Sequence, residues 1–276
     1  MLPFDVPALL AELEQLALAA GREVMAVYGT EFAVSVKADA SSVTEADTRA
    51  EAVILAGLAR LAPGIPVVAE EQVAAGNCPG ATPLFFLVDP LDGTREFVSR
   101  NGEFTVNIAL IADGAPVLGV VYAPALGVLY GGAAGFGAHK RSAGPALGDP
   151  EPIRVRVPGP SGFRALASRS HADGQTRAWL DARAIADTCT AGSSLKFGLL
   201  AEGGADVYPR FGRTMEWDTA AGDAVLRAAG GGVVTLDGAP LRYGKDAPRD
   251  DAPYANPFFI AFGDRRVLDL ASAQAG

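Results

Sequence analysis

Histidine and cysteine are nearly missing from this chain, with two of each in 276 residues. A zinc centre of the usual His/Cys kind therefore has almost no ligands to draw on. Cys78 and Cys189 lie far apart and form no CxxC pair, which suits a reducing compartment and gives no disulfide framework. Positive charge is also short, since 23 Lys and Arg against 32 Asp and Glu leave a formal charge of −9. Such a surface does not track the phosphates of nucleic acid. No apolar run approaches the roughly 18 residues of a membrane span. The opening MLPFDVPALLAELEQLALAAGREVM has no basic start and carries Asp5, Glu12 and Glu14, so it reads as an amphipathic helix, not a secretory leader. A cytoplasmic protein is expected, with peripheral membrane contact left open. GxxxxGK[ST], GxSxG and DxDx[TV] are missing too, which removes P-loop, α/β-hydrolase and aspartyl-phosphatase chemistry.

What the chain does have is apolar bulk and acid. Hydrophobic residues make up 49% and charged residues 20%, enough for one large core or two lobes. An anionic substrate would need local positive charge from a few Arg and Lys or from metal. With so little His and Cys, metal ligands must be carboxylates, which select hard cations such as Mg²⁺ or Mn²⁺.

Apolar residues recur at helical spacing from 7 to 28, ending at Gly29, and Thr44-Glu45-Ala46-Asp47 has the form of a capping box opening a second helix that runs to Leu61. The period then changes. IPVVAE, LFFLV, FTVNIALI, PVLGVVYA and GVLYGGA read as strands, with IADGAP as a hairpin turn. A Gly/Pro-rich stretch over 144–160, with a PIRVRV strand inside it, marks a boundary between lobes at 1–150 and 151–276. Beyond it FRALAS reads as a strand, and TRAWLDARA, SSLKFGLLAEG and DTAAGDAVLRAAGG as helices. The pattern is a layered α/β (α+β) protein in two lobes. The tail after about Asp246 carries no functional signal.

The chemistry gathers in LVDPLDGT, residues 87–94. A strand delivers Asp89 at its end, Pro90 fixes φ, and Gly93 permits a left-handed turn that can bring Asp89 and Asp92 to one side, with the Leu91 carbonyl as a further oxygen. Thr94 opens a short helix whose amides, with that of Gly93, could face a phosphate. A turn in which both aspartates bond only to local backbone fits the same residues. Glu70 and Glu71 at the end of VVAEE, and Asp218 at the start of a helix in EWDTAAG, add acids at other strand and helix ends. Each has an ordinary structural explanation, Asp218 above all as a helix cap. Together they suggest one convergent pocket.

The set TEAD, AEE, DPLDGT and EWDTAAG resembles the inositol monophosphatase superfamily of Mg²⁺-dependent, lithium-sensitive phosphatases. The run LVDPLDGTREFVSRNGEFTVNIALI, with SRSHAD, GSSLKF, AEG and YPRFG, is similar to the bacterial 3′(2′),5′-bisphosphate nucleotidases. The resemblance implies an αβαβα sandwich of the sugar-phosphatase type and removal of the 3′-phosphate of adenosine 3′,5′-bisphosphate; inositol 1-phosphate or fructose 1,6-bisphosphate is the alternative substrate. It implies two or more Mg²⁺, with Mn²⁺ as a substitute. Glu70, Asp89 and the Leu91 carbonyl would hold one ion, and Asp89, Asp92 and Asp218 a second. Asp47 and Thr94, assisted by Glu70, would act on the attacking water. Gly93, Thr94, Ser168, His171, Gly192, Lys196 and Asp218 would touch substrate, and Arg95 and Arg100 either steer phosphates or are merely solvated. The chain departs from the family at Ser42, where proline is common, at Ala69, where Ser or Gly is usual, and at Arg95, where Lys is frequent. Arg95 keeps the charge but changes hydrogen-bond geometry, which bears on substrate preference. A homodimer is one oligomeric state the sequence leaves open.

Overall fold

Helix α1 (Val6–Tyr28) starts where Asp5 accepts a hydrogen bond from the Ala8 amide at 3.2 Å, and it stops at Gly29. A computed structural model of the protein describes residues 3–36, 42–77, 79–80, 82–159, 162–168, 174–245 and 252–270. After the two-residue strands β1 (Ser35–Val36) and β2 (Ser42–Val43), helix α2 (Glu45–Leu61) opens on the capping box read from the sequence. The Ala46 amide donates to Thr44 Oγ1 at 3.2 Å, and the Thr44 amide donates to Asp47 Oδ2 at 2.8 Å. Two of the otherwise orphaned amides at this helix start are thereby satisfied.

Next come β3 (Val67–Ala69), α3 (Glu70–Ala74), β4 (Leu84–Asp92), α4 (Thr94–Val98), β5 (Thr105–Ala112), β6 (Ala115–Ala123), β7 (Val128–Ala133), β8 (Gly137–Ser142) and β9 (Glu151–Ile153). They build a seven-stranded sheet in that order, antiparallel throughout except for the parallel pair β3 and β4. The IADGAP turn is the expected hairpin, with Asp113 at φ 49° and Gly114 at φ 74° between β5 and β6. Two strand expectations need correction. IPVVAE does not continue through Glu70, because the chain turns into α3 at that residue. Of PIRVRV only Pro152 and Ile153 are strand, within Glu151–Ile153, which pairs with β8 at the edge of the first sheet.

The second sheet is formed by β10 (Arg164–Ser168), β11 (Asp187–Ala191), β12 (Val207–Arg210), β13 (Gly232–Thr235) and β14 (Phe259–Phe262), in the order β11-β10-β12-β14-β13. Helices α5 (Gly174–Asp181), α6 (Leu195–Ala201) and α7 (Glu216–Ala228) alternate with these strands, and a 3₁₀ turn at Arg265–Asp269 follows.

Three apolar cores define the layering. Helices α1 and α2 pack on one face of the first sheet through Leu13, Val24, Ile54, Phe86, Val88, Ile108 and Val120. Alternate residues of the same strands, among them Phe85, Leu87, Ala109 and Val121, face α6, α7 and the second sheet. The far side of the second sheet closes on Leu180 of α5 and Val267 of the 3₁₀ turn. This period-two alternation lets one sheet bury both faces. The result is the expected five-layer αβαβα sandwich.

Candidate active site

Strand β4 carries the acidic turn. Its pairing with β5 runs in register to Asp89 opposite Asn107, then resumes at Asp92 opposite Thr105, so Pro90 and Leu91 bulge out against the single residue Val106. Such a bulge re-aims side chains at a strand end. Pro90 suits it because a bulged position needs no ladder donor. The Leu91 amide donates to Asp89 Oδ1 at 3.0 Å, while the Leu91 side chain is buried in the core beside α1 and α2. The local turn bond considered from sequence is therefore present. Gly93, at φ 90°, swings the chain into α4, where Thr94 is the first residue.

Asp92 is held from the second half of the chain. Its Oδ2 accepts hydrogen bonds from Ser193 Oγ at 2.7 Å, the Ser194 amide at 2.6 Å and Ser194 Oγ at 2.7 Å. Ser193 reaches this position in a left-handed conformation, φ 51°, which costs a serine some backbone strain. Ser194 Oγ also lies 2.5 Å from the Asp218 carbonyl, so its one proton is shared between that oxygen and Asp92. Asp218 sits in the first turn of α7, where its Oδ2 accepts from the Met215 amide at 2.8 Å, so it is both a cap and a site residue.

Asp89, Asp92 and Asp218 each offer one oxygen, and the three oxygens lie within 4.8 Å of one another. Burial, then repulsion from Glu70, Asp92 and Asp218, pushes the Asp89 carboxyl well above its ordinary range. Burial, then Asp92, does the same to Asp218. Asn107, opposite Asp89, is 1% exposed, and its Oδ1 has no hydrogen-bond partner among the described residues. Like charges gathered in low dielectric beside an unsatisfied oxygen are costly unless a cation neutralises them. An all-oxygen donor set fits a hard divalent ion.

Above this cluster opens a cleft of about 370 Å³. Glu70, Asp92, Thr94 and Asp218 line one end. Arg95, Lys196, Arg210 and Arg213 line the remainder together with Ser168, Phe197, Tyr208 and Phe259. Asp89 is 1% exposed and lies beneath them. Glu70, not Glu71, faces the cleft. The Glu71 amide instead donates to Glu51 Oε2 at 2.8 Å. Lys196 is buried, donates to the Ser193 carbonyl at 2.6 Å, and is lowered by burial to about 8. Arg210 is 7% exposed, and its Nε has no partner among the described residues.

Other sequence candidates fall elsewhere. Asp47 is not in the cleft lining; it is buried at the start of α2 with Oδ2 on Thr44. The Gly192 amide is taken by Glu103 Oε2 at 2.7 Å. Arg100 lies outside the cleft lining. It donates to the carbonyls of Tyr28 at 2.5 Å and Thr30 at 2.6 Å, tying down the end of α1. His171 and Cys78 lie outside the described residues. Ser193, Ser194, Asn107 and Arg213 were not singled out from sequence. GSSLKF drew attention through Gly192 and Lys196, although the serines between them hold Asp92.

Residues 6–257 match the inositol monophosphatase family. The chain belongs to that family. Its relatives include the 3′(2′),5′-bisphosphate nucleotidase CysQ of Shigella flexneri, 48% identical over 253 residues that cover 91% of this chain and 98% of that protein. The same named enzyme of Salmonella typhimurium is 46% identical over the same shares. Among solved structures, CysQ of Bacteroides thetaiotaomicron superposes with a TM-score of 0.76 at 36% identity, covering 94% of this chain and 98% of that one. An inositol monophosphatase from Anabaena gives 0.73 at 26% identity over 98% and 96%. Metal dependence goes with this family, and this chain carries an acidic cluster of Asp89, Asp92 and Asp218 on β4 and α7. No helix among the described residues is long and apolar enough to cross a membrane.

Proposed function

We propose that the protein hydrolyses the 3′-phosphate of adenosine 3′,5′-bisphosphate, using Mg²⁺ held by Glu70, Asp89, Asp92, Asp218 and the Leu91 carbonyl. One observation carries the choice of a bisphosphate. Beyond the acidic cluster the same cleft presents Arg95, Lys196, Arg210 and Arg213. A monophosphate is neutralised by the metal end alone, whereas four further cations suit a second phosphate. The names of the relatives agree with this substrate.

When bound, the metal supplies Lewis acidity, lowers the pKa of a coordinated water and neutralises the carboxylates. The chain's own groups do the rest. Ser193 and Ser194 hold Asp92 at one orientation, and the bulge after Asp89 sets its carboxylate against that of Asp218. Glu70 and Thr94, both on the cleft wall, are placed to orient a water and take its proton. Arg210 Nε and the Lys196 ammonium offer buried donors to the phosphate that is not cleaved. Asp47 fixes the start of α2, and its part in activating water rests on resemblance alone.

Measuring kcat/KM on adenosine 3′,5′-bisphosphate, inositol 1-phosphate and fructose 1,6-bisphosphate tests this reading. The nucleotide should lead inositol 1-phosphate, which has no second phosphate, by tenfold or more, on the order of one lost charged contact; fructose 1,6-bisphosphate keeps both phosphates, so a lead over it reports recognition of the nucleoside. A lead for inositol 1-phosphate would overturn the substrate assignment while leaving the family intact.

The folded pKa of Lys196, about 8, lies below the ordinary lysine value of 10.5, so between them the unfolded chain holds this proton where the folded one has lost it. Its charge therefore opposes folding at neutral pH, and stability from this group rises as pH climbs from about 8 to 10.5. Activity runs the other way. kcat/KM should fall above about pH 8 as the ammonium is lost. In Lys196→Met that limb should vanish and the plateau should drop by about tenfold, the worth of one charge-assisted contact. An unaltered basic limb in the variant would show that another group titrates there.

A further inference from the structure

The tail beyond residue 252, silent in the sequence, returns to the turn that delivers Asp218. The Asn256 amide donates to the Thr214 carbonyl at 2.9 Å. Its side-chain Nδ2 donates to the Met215 carbonyl at 2.7 Å and to Thr219 Oγ1 at 3.0 Å, with Thr214 Oγ1 3.3 Å away. Met215 and Ala255 form an isolated antiparallel bridge, and the Glu216 amide donates to the Tyr254 carbonyl at 2.8 Å. From the other side, Lys245 Nζ reaches Glu216 Oε1 at 2.6 Å and Asn256 Oδ1 at 3.4 Å. Every residue from 214 to 216, and Thr219, is thus gripped by this segment.

Tyr254 adopts φ 65°, a conformation that a bulky aromatic residue rarely takes. Strain of this sort persists only where surrounding contacts over-determine it, and it gathers at functional sites. Here it turns the Tyr254 carbonyl toward the Glu216 amide while the phenol donates to the Pro79 carbonyl at 2.6 Å, on the segment that follows α3. Helix α3 begins with Glu70. One short stretch is therefore tied both to the turn before Asp218 and to the chain leaving Glu70.

We infer that Asn256 is a positioning residue for the metal site, with Tyr254 as its strained anchor: it holds the 214–219 turn so that the Asp218 carboxylate stays beside Asp89 and Asp92. It acts through Asp218 and touches no substrate. The inference rests on the metal reading of the cleft. Outer groups that orient metal-bound carboxylates affect metal affinity by about ten- to a hundredfold.

The test is calorimetry with Mg²⁺ on the full chain, alongside the Mg²⁺ dependence of turnover. Asn256→Ala should raise the Mg²⁺ dissociation constant and the half-saturating Mg²⁺ concentration together by about tenfold, with kcat recovered to within about threefold at saturating Mg²⁺. Val234→Ala, in the core on the far face of the second sheet, controls for lost stability. It should leave Mg²⁺ binding unchanged at a comparable loss of Tm. If Asn256→Ala does not fold, Asn256→Ser carries the same comparison. Wild-type Mg²⁺ affinity in the folded Asn256 variant, or an equal loss in Val234→Ala, overturns the inference. Failure of the wild-type protein to bind Mg²⁺ at all would instead overturn the metal reading beneath it.

Discussion

Asp89→Asn lowers kcat on adenosine 3′,5′-bisphosphate by about a thousandfold or more, the loss expected when a divalent ion can no longer be held in place. Asn is nearly isosteric, and its Oδ1 keeps the bond from the Leu91 amide. What disappears is one negative charge from a buried group that already repels Glu70, Asp92 and Asp218. The ionised form of Asp89 costs stability above its unfolded pKa, because its folded pKa is raised. The metal-free variant should therefore melt no lower than the metal-free wild type. The gain in Tm that saturating Mg²⁺ gives the wild type should shrink or vanish, since that gain measures preferential binding to the folded state. Asp218→Asn should behave in the same way. Unchanged turnover in both variants would sink the metal-centred mechanism. Lost turnover with the Mg²⁺ stabilisation intact would place Asp89 in the chemistry but not in the metal cage.

Gly119→Ala produces a large loss of stability for a single methyl group. Gly119 lies on β6 directly under α7, and a Cβ there would stand 2.3 Å from the Ala221 carbonyl oxygen, 2.8 Å from Ala224 Cβ and 2.9 Å from Ala221 Cα. These are backbone and near-backbone atoms, so no rotamer change relieves the clash. The helix must lift. Overpacking of this kind costs about 3 kcal/mol, which for a chain of this size lowers Tm by roughly 6–12 °C. The displacement also has a functional consequence, because Asp218 occupies the first turn of the same helix. Mg²⁺ affinity should fall together with Tm, as read by thermal melts with and without the ion. A Tm within about 2 °C of wild type would show that the contact between α7 and the sheet yields more easily than close packing allows.

Much of the fold was legible because its signals are local. The stripe of α1, the capping box at Thr44 and the Asp113-Gly114 hairpin each rest on residues within a few positions of one another. The strands of the second sheet were harder. VYPR, GVVT and FIAF are four residues each and carry no alternation to read. They become strands because they pair in succession outward from β10 and pack against α6 and α7. Glu70 shows the same limit on a smaller scale. A run of valines argued for strand, yet the chain turns into α3 at that residue, where the carboxylate faces the cleft.

The site divides along the same line. DPLDG carries its own geometry, since a proline, a left-handed glycine and two aspartates within five residues suffice to build an acidic turn. Sequence alone therefore determined which acids the chain could offer and, through the scarcity of His and Cys, that any resident metal would be a hard one. Only the tertiary structure decided what holds those acids in place. Ser193 and Ser194 come to Asp92 from a hundred residues away, and Asn256 comes to the turn before Asp218 from the silent tail. Those partners are ordinary polar residues at unremarkable spacings. Their meaning depends on hydrogen bonds between segments distant in sequence, which exist only once the two sheets and the helices between them have packed.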